Sequence, residues 1–161
     1  MTVREACEAV WPQNRHECNF FIQAVADKLR ILLPGSAGDA NWITYLISGW
    51  IAFPSPTIAI PPDPFAQWRA IEFANQGHFV IGGLTADEIN SAIKPGEKKT
   101  THGHVVVVTG GISHTGWPIG YWGSHGNGRA GKNESLSESF RHPLQQKIHY
   151  FCVLRDAEVS V

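Results

Sequence analysis

The sequence predicts an α+β fold in which helices come first and an antiparallel sheet follows. Apolar residues recur at spacings of three and four in the first part of the chain, then gather into short strand-length runs after Gly77. No internal repeat and no linker divides the chain, so 1–161 reads as a single domain. At 161 residues, 43% hydrophobic and 17% charged, that domain has room for a buried core and a cavity, and its 16 Gly and 10 Pro predict many loops.

The elements follow in order. Residues 2–11 predict a short helix with Val3, Cys7 and Val10 on one face, broken by Pro12 and Asn14. A stronger pattern from Glu17 to Leu33 places Phe21, Val25, Leu29 and Leu32 on one stripe and stops at Pro34-Gly35. Asp39 is the expected N-cap of a third helix carrying Trp42, Leu46 and Trp50. The proline-rich stretch 52–63 reads as a rigid extended connection. Asp63-Pro64 then starts a helix through Phe65, Trp68, Ile71 and Ala74. Strands are expected at 78–81, 105–108, 120–122 and 148–154, with a capped short helix at Thr85-Ala86-Asp87-Glu88 and a polar, glycine-rich loop over 123–132.

Net charge is −1 and no basic block occurs, which argues against nucleic acid or an anionic membrane as partner. The N-terminus has no charged start followed by an apolar core, and no apolar run reaches the length of a membrane helix. Action outside the producing cell would therefore need a dedicated export machine or removal of a leader.

Chemistry concentrates at a cysteine and a histidine. Cys18 begins the strongest helical stretch, where the helix dipole and unpaired N–H groups favour a thiolate. His104 begins the Val105–Val108 strand directly after Gly103, and a base on a rigid strand facing a thiol on a helix start is the logic of cysteine hydrolases. His102, two residues earlier, shares its face and competes for the role.

These stretches resemble the NlpC/P60 papain-like cysteine peptidases. The resemblance rests on His16-Glu17-Cys18-Asn19-Phe20-Phe21, then Gly77-His78-Phe79-Val80-Ile81-Gly82-Gly83-Leu84, then Gly103-His104-Val105-Val106-Val107-Val108, in that order. Ala74-Asn75-Gln76-Gly77, Trp122-Gly123-Ser124 and the aromatic strand at Tyr150-Phe151 are closer to the amidase effectors of type VI secretion. The resemblance implies a papain-like fold, Cys18 as nucleophile and His104 as base, with no cofactor and no metal. It implies a toxin injected without a signal peptide into the periplasm of a rival Gram-negative cell. There it would cut a peptide stem of peptidoglycan, preferentially at the D-glutamyl–diaminopimelate bond. The alternatives are the D-Ala–diaminopimelate crosslink or a non-catalytic wall-binding role. A cognate immunity protein and the secretion apparatus are the implied partners, with no nucleic acid and no membrane insertion.

Several roles follow from that reading. The Cys18 backbone N–H would meet the oxyanion. Ser124, His125 or a backbone carbonyl would orient His104, and Arg129 and Lys132 are candidate cations for the substrate's carboxylates. With Cys18 reserved for catalysis, Cys7 and Cys152 could pair once in an oxidising compartment. The rival readings are a metal amidase using His102, His104, His114 or His125, a sugar-stacking surface of Trp117, Tyr121 and Trp122, and a phosphate-binding loop at 126–132.

Overall fold

The computed structural model describes residues 1–33, 56–124 and 128–156. The expected helix after Asp39 and the candidate His125 lie outside them. Helix α1 (Val3–Asn14) starts in a reciprocal cap between Thr2 and Glu5, and it runs through Pro12 rather than stopping there. Pro12 lies in the last turn, where few bonds remain to lose, and the Arg15 N–H still closes on the Trp11 carbonyl at 3.0 Å. Helix α2 (Cys18–Lys28) is shorter than its apolar pattern. Arg30 takes a left-handed conformation (φ 59°), and the Ile31 N–H reaches back to the Ala26 carbonyl at 2.8 Å, closing the helix before Leu32.

Strand β1 (Thr57–Ile60) forms within the proline-rich stretch. Helix α3 (Ala66–Asn75) begins later than its sequence signal, because the Asp63 carboxylate accepts the Phe65 N–H at 2.7 Å and holds a turn ahead of it. Strand β2 (Phe79–Leu84) leads to the short α4 (Ala86–Asn90), whose Thr85–Glu88 cap forms as expected. Strands β3 (His104–Ile112), β4 (Pro118–Trp122) and β5 (Gly131–Ser135) follow. Two 3-10 turns, Leu136–Glu138 and His142–Lys147, then precede β6 (His149–Val153). The glycine-rich stretch thus ends in a strand that the sequence pattern did not announce.

The six strands form one antiparallel sheet in the order β1-β6-β2-β3-β4-β5. The proline-flanked β1 lies at an edge, where a missing N–H costs least. Helices and an antiparallel sheet make the fold α+β. Each face of the sheet carries its own core. On one, α1 and α2 place Ala6, Cys7, Cys18, Phe21 and Val25 against Phe79, Ile81, Val105, Val107 and Tyr121. On the other, α3 and the C-terminal turns place Ala70, Ala74, Leu136, Phe140 and Leu144 against Val80, Leu84, Val106, Val108 and Tyr150. Strict alternation along β2, β3 and β6 sorts neighbouring side chains between the two.

The three cysteines are free and buried. Cys7 belongs to the first core and Cys152 to the second, so the sheet lies between them and the expected Cys7–Cys152 bond does not form. Burial pushes all three thiols above their ordinary range, Cys18 and Cys152 up to about 12. A folded-state pKa above the unfolded value holds stability intact below the unfolded pKa and loses it as pH rises beyond. Thermal melts should therefore be flat from about pH 7 to 8 and fall steadily above about pH 9, by up to roughly 1.4 kcal/mol per pH unit for each buried thiol. Melts independent of pH through that window would contradict the burial of the thiols.

Candidate active site

The start of α2 is built by two short segments, 15–18 and 122–124. Glu17 caps the helix, its carboxylate accepting the Phe20 N–H at 2.7 Å. Gly123 and Ser124 lie against that turn from the far end of the chain. The Cys18 N–H donates to the Ser124 carbonyl at 3.1 Å, and the Ser124 N–H donates to the Arg15 carbonyl at 2.9 Å. A Cβ at position 123 would come within 2.5 Å of the Glu17 carbonyl oxygen, so only glycine permits this approach. The Trp122-Gly123-Ser124 segment is thus a structural neighbour of Cys18, and its contact overturns one expected role. The Cys18 N–H is already engaged and does not form an open oxyanion site.

The thiol itself is 0% exposed. Its sulfur lies 3.6 Å from the Glu17 carboxylate and 3.7 Å from the Asn19 side-chain oxygen. Burial first, then the Glu17 charge, raise its pKa to about 12, while a backbone contact with Val105 pulls the other way. Desolvation and a neighbouring carboxylate outweigh the helix N-terminus, so Cys18 rests as a neutral thiol and not the thiolate that its position predicts.

His104 occupies the other face. It pairs with Leu84 across β2 and β3, and its ring centroid is 5.2 Å from that of Phe140. Leu84 and Phe140 both belong to the core remote from Cys18, whereas the next residue, Val105, packs with Cys18. The structure therefore places the two expected catalytic side chains on opposite faces of β3 and does not bring them together.

What His104 does meet is a hydroxyl. Its Nε2 lies 2.6 Å from Ser139 Oγ, a shorter contact than the common range for a nitrogen–oxygen hydrogen bond. The ring is 3% exposed and helps to line a cleft of about 530 Å³ with His102, Asn90, Lys98, Lys99, Ser139 and Arg141. His102 shares the cleft, as the two-residue spacing predicts. Asn90 pins the loop that forms one wall, donating to the Thr100 carbonyl at 3.0 Å and accepting the Thr100 N–H at 2.9 Å. Arg141 joins that wall to the C-terminal turns through Glu97. The Arg141 pair holds the Glu97 carboxyl below its usual range. Lys98 and Lys99 make no ion pair among the described residues, which leaves the rim cationic.

Other expected residues are placed elsewhere. Ser124 Oγ donates to the Arg15 carbonyl at 3.1 Å, on the Cys18 side, and does not orient His104. Arg129 pairs with Glu134 at 2.7 Å, and Lys132 pairs with Glu8 at 2.9 Å, lying over the Trp11 ring. Tyr121 and Trp122 are core residues, Tyr121 donating to the Glu8 carboxylate, so they present no sugar-stacking surface. Among the described residues, no three His, Cys, Asp or Glu side chains converge as metal ligands would. The sequence reading missed Ser139, one of three serines in the run 135–139 and 35 residues from its partner, with nothing local to distinguish it.

In comparisons with known proteins, the chain matches no family model and no curated sequence. Two expectations follow from the geometry. At about pH 7.5, iodoacetamide should leave the native thiols unmodified and alkylate all three of them after denaturation, read by intact mass. Fast native labelling of Cys18 would show an exposed thiol. Gly123→Ala should destabilise the fold by roughly 1–3 kcal/mol by forcing apart the 17–18 and 123–124 segments, measured by urea titration.

Proposed function

We propose that this chain is a hydrolase that cuts an amide bond in the peptide stem of peptidoglycan, the D-glutamyl–diaminopimelate bond foremost, with His104 moving the proton. The observation that supports this most directly is His104 itself. It is a buried histidine at the start of a central strand, aimed into a cleft that a short peptide could enter, with its ring held by Phe140 and Ser139. The cationic rim suits stem peptides, which carry free carboxylates.

In this reading Cys18 is the nucleophile that the NlpC/P60 resemblance supplies. The sulfur attacks the carbonyl carbon, the thiol proton passes to His104, and the amine leaves with that proton before water releases the thioester. Such a step needs the sulfur and the imidazole on one side of β3. It therefore operates from a conformation in which the start of α2 has moved from the arrangement described above. The biological setting belongs to the same proposal: delivery by a type VI apparatus into a rival cell's periplasm, and restraint of the producer's own copy by an immunity protein.

Digestion of diaminopimelate-type peptidoglycan, with the fragments read by mass spectrometry, tests the proposal. The wild-type chain should release stem fragments ending in D-glutamate. His104→Ala and Cys18→Ala should each lower the rate by about 100-fold or more, with thermal melts showing that both variants fold. Full activity in His104→Ala would overturn the hydrolase reading. Full activity in Cys18→Ala would remove the thiol and leave His104 in place. Binding of wall fragments without cleavage by the wild type would favour the wall-binding alternative.

A further inference from the structure

His104 pairs with the Ser139 hydroxyl in the cleft at 2.6 Å, and the pair has the layout of a nucleophile with its base rather than of a buried hydroxyl that only satisfies a histidine. Ser139 is half-buried and lines the cleft, so a ligand there reaches its oxygen. It follows the 3-10 turn Leu136–Glu138, and its own N–H is tied to the Leu136 carbonyl at 3.0 Å, which fixes the backbone carrying the hydroxyl. Among the described residues, His104 is the only partner of that hydroxyl. The neighbouring Phe140 packs against the imidazole, so consecutive residues place the hydroxyl and brace the ring that would accept its proton. The cleft around them carries Lys98, Lys99 and Arg141 against a single carboxylate, Glu97.

We infer that Ser139 and His104 form a serine acyl-transfer centre that hydrolyses esters bearing a carboxylate, independently of Cys18. This rests on the reading of His104 as a proton acceptor and not on the thiol. With the ring proton on Nδ1, Nε2 accepts the Ser139 proton as Oγ bonds to the ester carbonyl carbon. Collapse breaks the bond to the alkoxy oxygen, and the alcohol leaves with the proton from His104. Water then adds to the acyl-serine and gives its proton to Nε2. Breaking the acyl bond releases the acid and restores Ser139. No oxidant, reductant or second substrate other than water is needed. The lysines select the substrate class, an acyl group ending in a carboxylate.

A fluorophosphonate probe followed by peptide mapping tests this on the wild-type chain. The adduct is expected on Ser139, retained in Cys18→Ala and lost in His104→Ala. Mono-4-nitrophenyl succinate should be turned over with a kcat/KM about tenfold above that of neutral 4-nitrophenyl butyrate, and the double variant Lys98→Ala/Lys99→Ala should erase that preference. Ser139→Cys provides a check that does not depend on the alanine variant folding. The S139C thiol should react with iodoacetamide in the native protein ahead of Cys7, Cys18 and Cys152. No adduct at Ser139, or labelling equally fast without His104, overturns the inference. Labelling at Ser139 by a chain that leaves peptidoglycan intact upholds it while the amidase proposal falls. Peptidoglycan cleavage without any labelling at Ser139 does the reverse.

Discussion

Alternation along β3 is the constraint on which the rest of the site depends. Over His104–Val108 the strand is buried on both faces, so each of these side chains is committed to one of two cores. Val105 and Val107 go to α1 and α2, while His104, Val106 and Val108 go to α3 and the C-terminal turns. A one-residue slip would exchange the two sets and place His104 among Phe21, Val25 and Cys18, but it would also drive the valines into the wrong cores. The register across β2, Leu84 against His104 and Val80 against Val108, holds this choice along most of the strand. The partner of His104 is therefore a matter of strand register before it is a matter of catalysis.

Cys18 shows two familiar effects in competition. The first turn of α2 offers the positive end of a helix, which lowers a thiol's pKa where water and backbone donors reach it. Here the Cys18 N–H is consumed by Ser124, the Glu17 carboxylate lies beside the sulfur, and apolar packing removes water. The macrodipole contribution is modest and decays within a turn, whereas full burial of a charge is far more costly, so the neutral form wins. Place in the chain alone does not make a cysteine reactive; the solvent at the sulfur decides.

Much of the scaffold was legible in the sequence because its signals are local. The Thr85–Glu88 cap, the β-branched run of β3 and the stripe of α2 each occupy a few consecutive residues, and each element formed. The parts that were not legible depend on distant partners. Strand β5 has no apolar alternation, and it is held by pairing with β4 and by the Trp11 indole donating to the Gly131 carbonyl, 120 residues away. Pro12 reads as a helix breaker until the remaining bond of the last turn is seen. The candidate site was half legible. His104 and its strand were visible, but the face that it occupies, its contact with Ser139 and the engagement of the Cys18 N–H all depend on tertiary placement.

The bridge between Arg141 and Glu97 crosses the rim of the cleft, tying the loop after α4 to the turn that carries Ser139. Both groups are solvent-facing, and an ion pair of this kind is held weakly in water and screened by salt. An arriving carboxylate can take the place of Glu97 on the guanidinium with little change in the number of charge-assisted bonds. The strap is then exchangeable: a ligand of the right charge trades places with Glu97 while the Asn90–Thr100 bonds keep the wall standing.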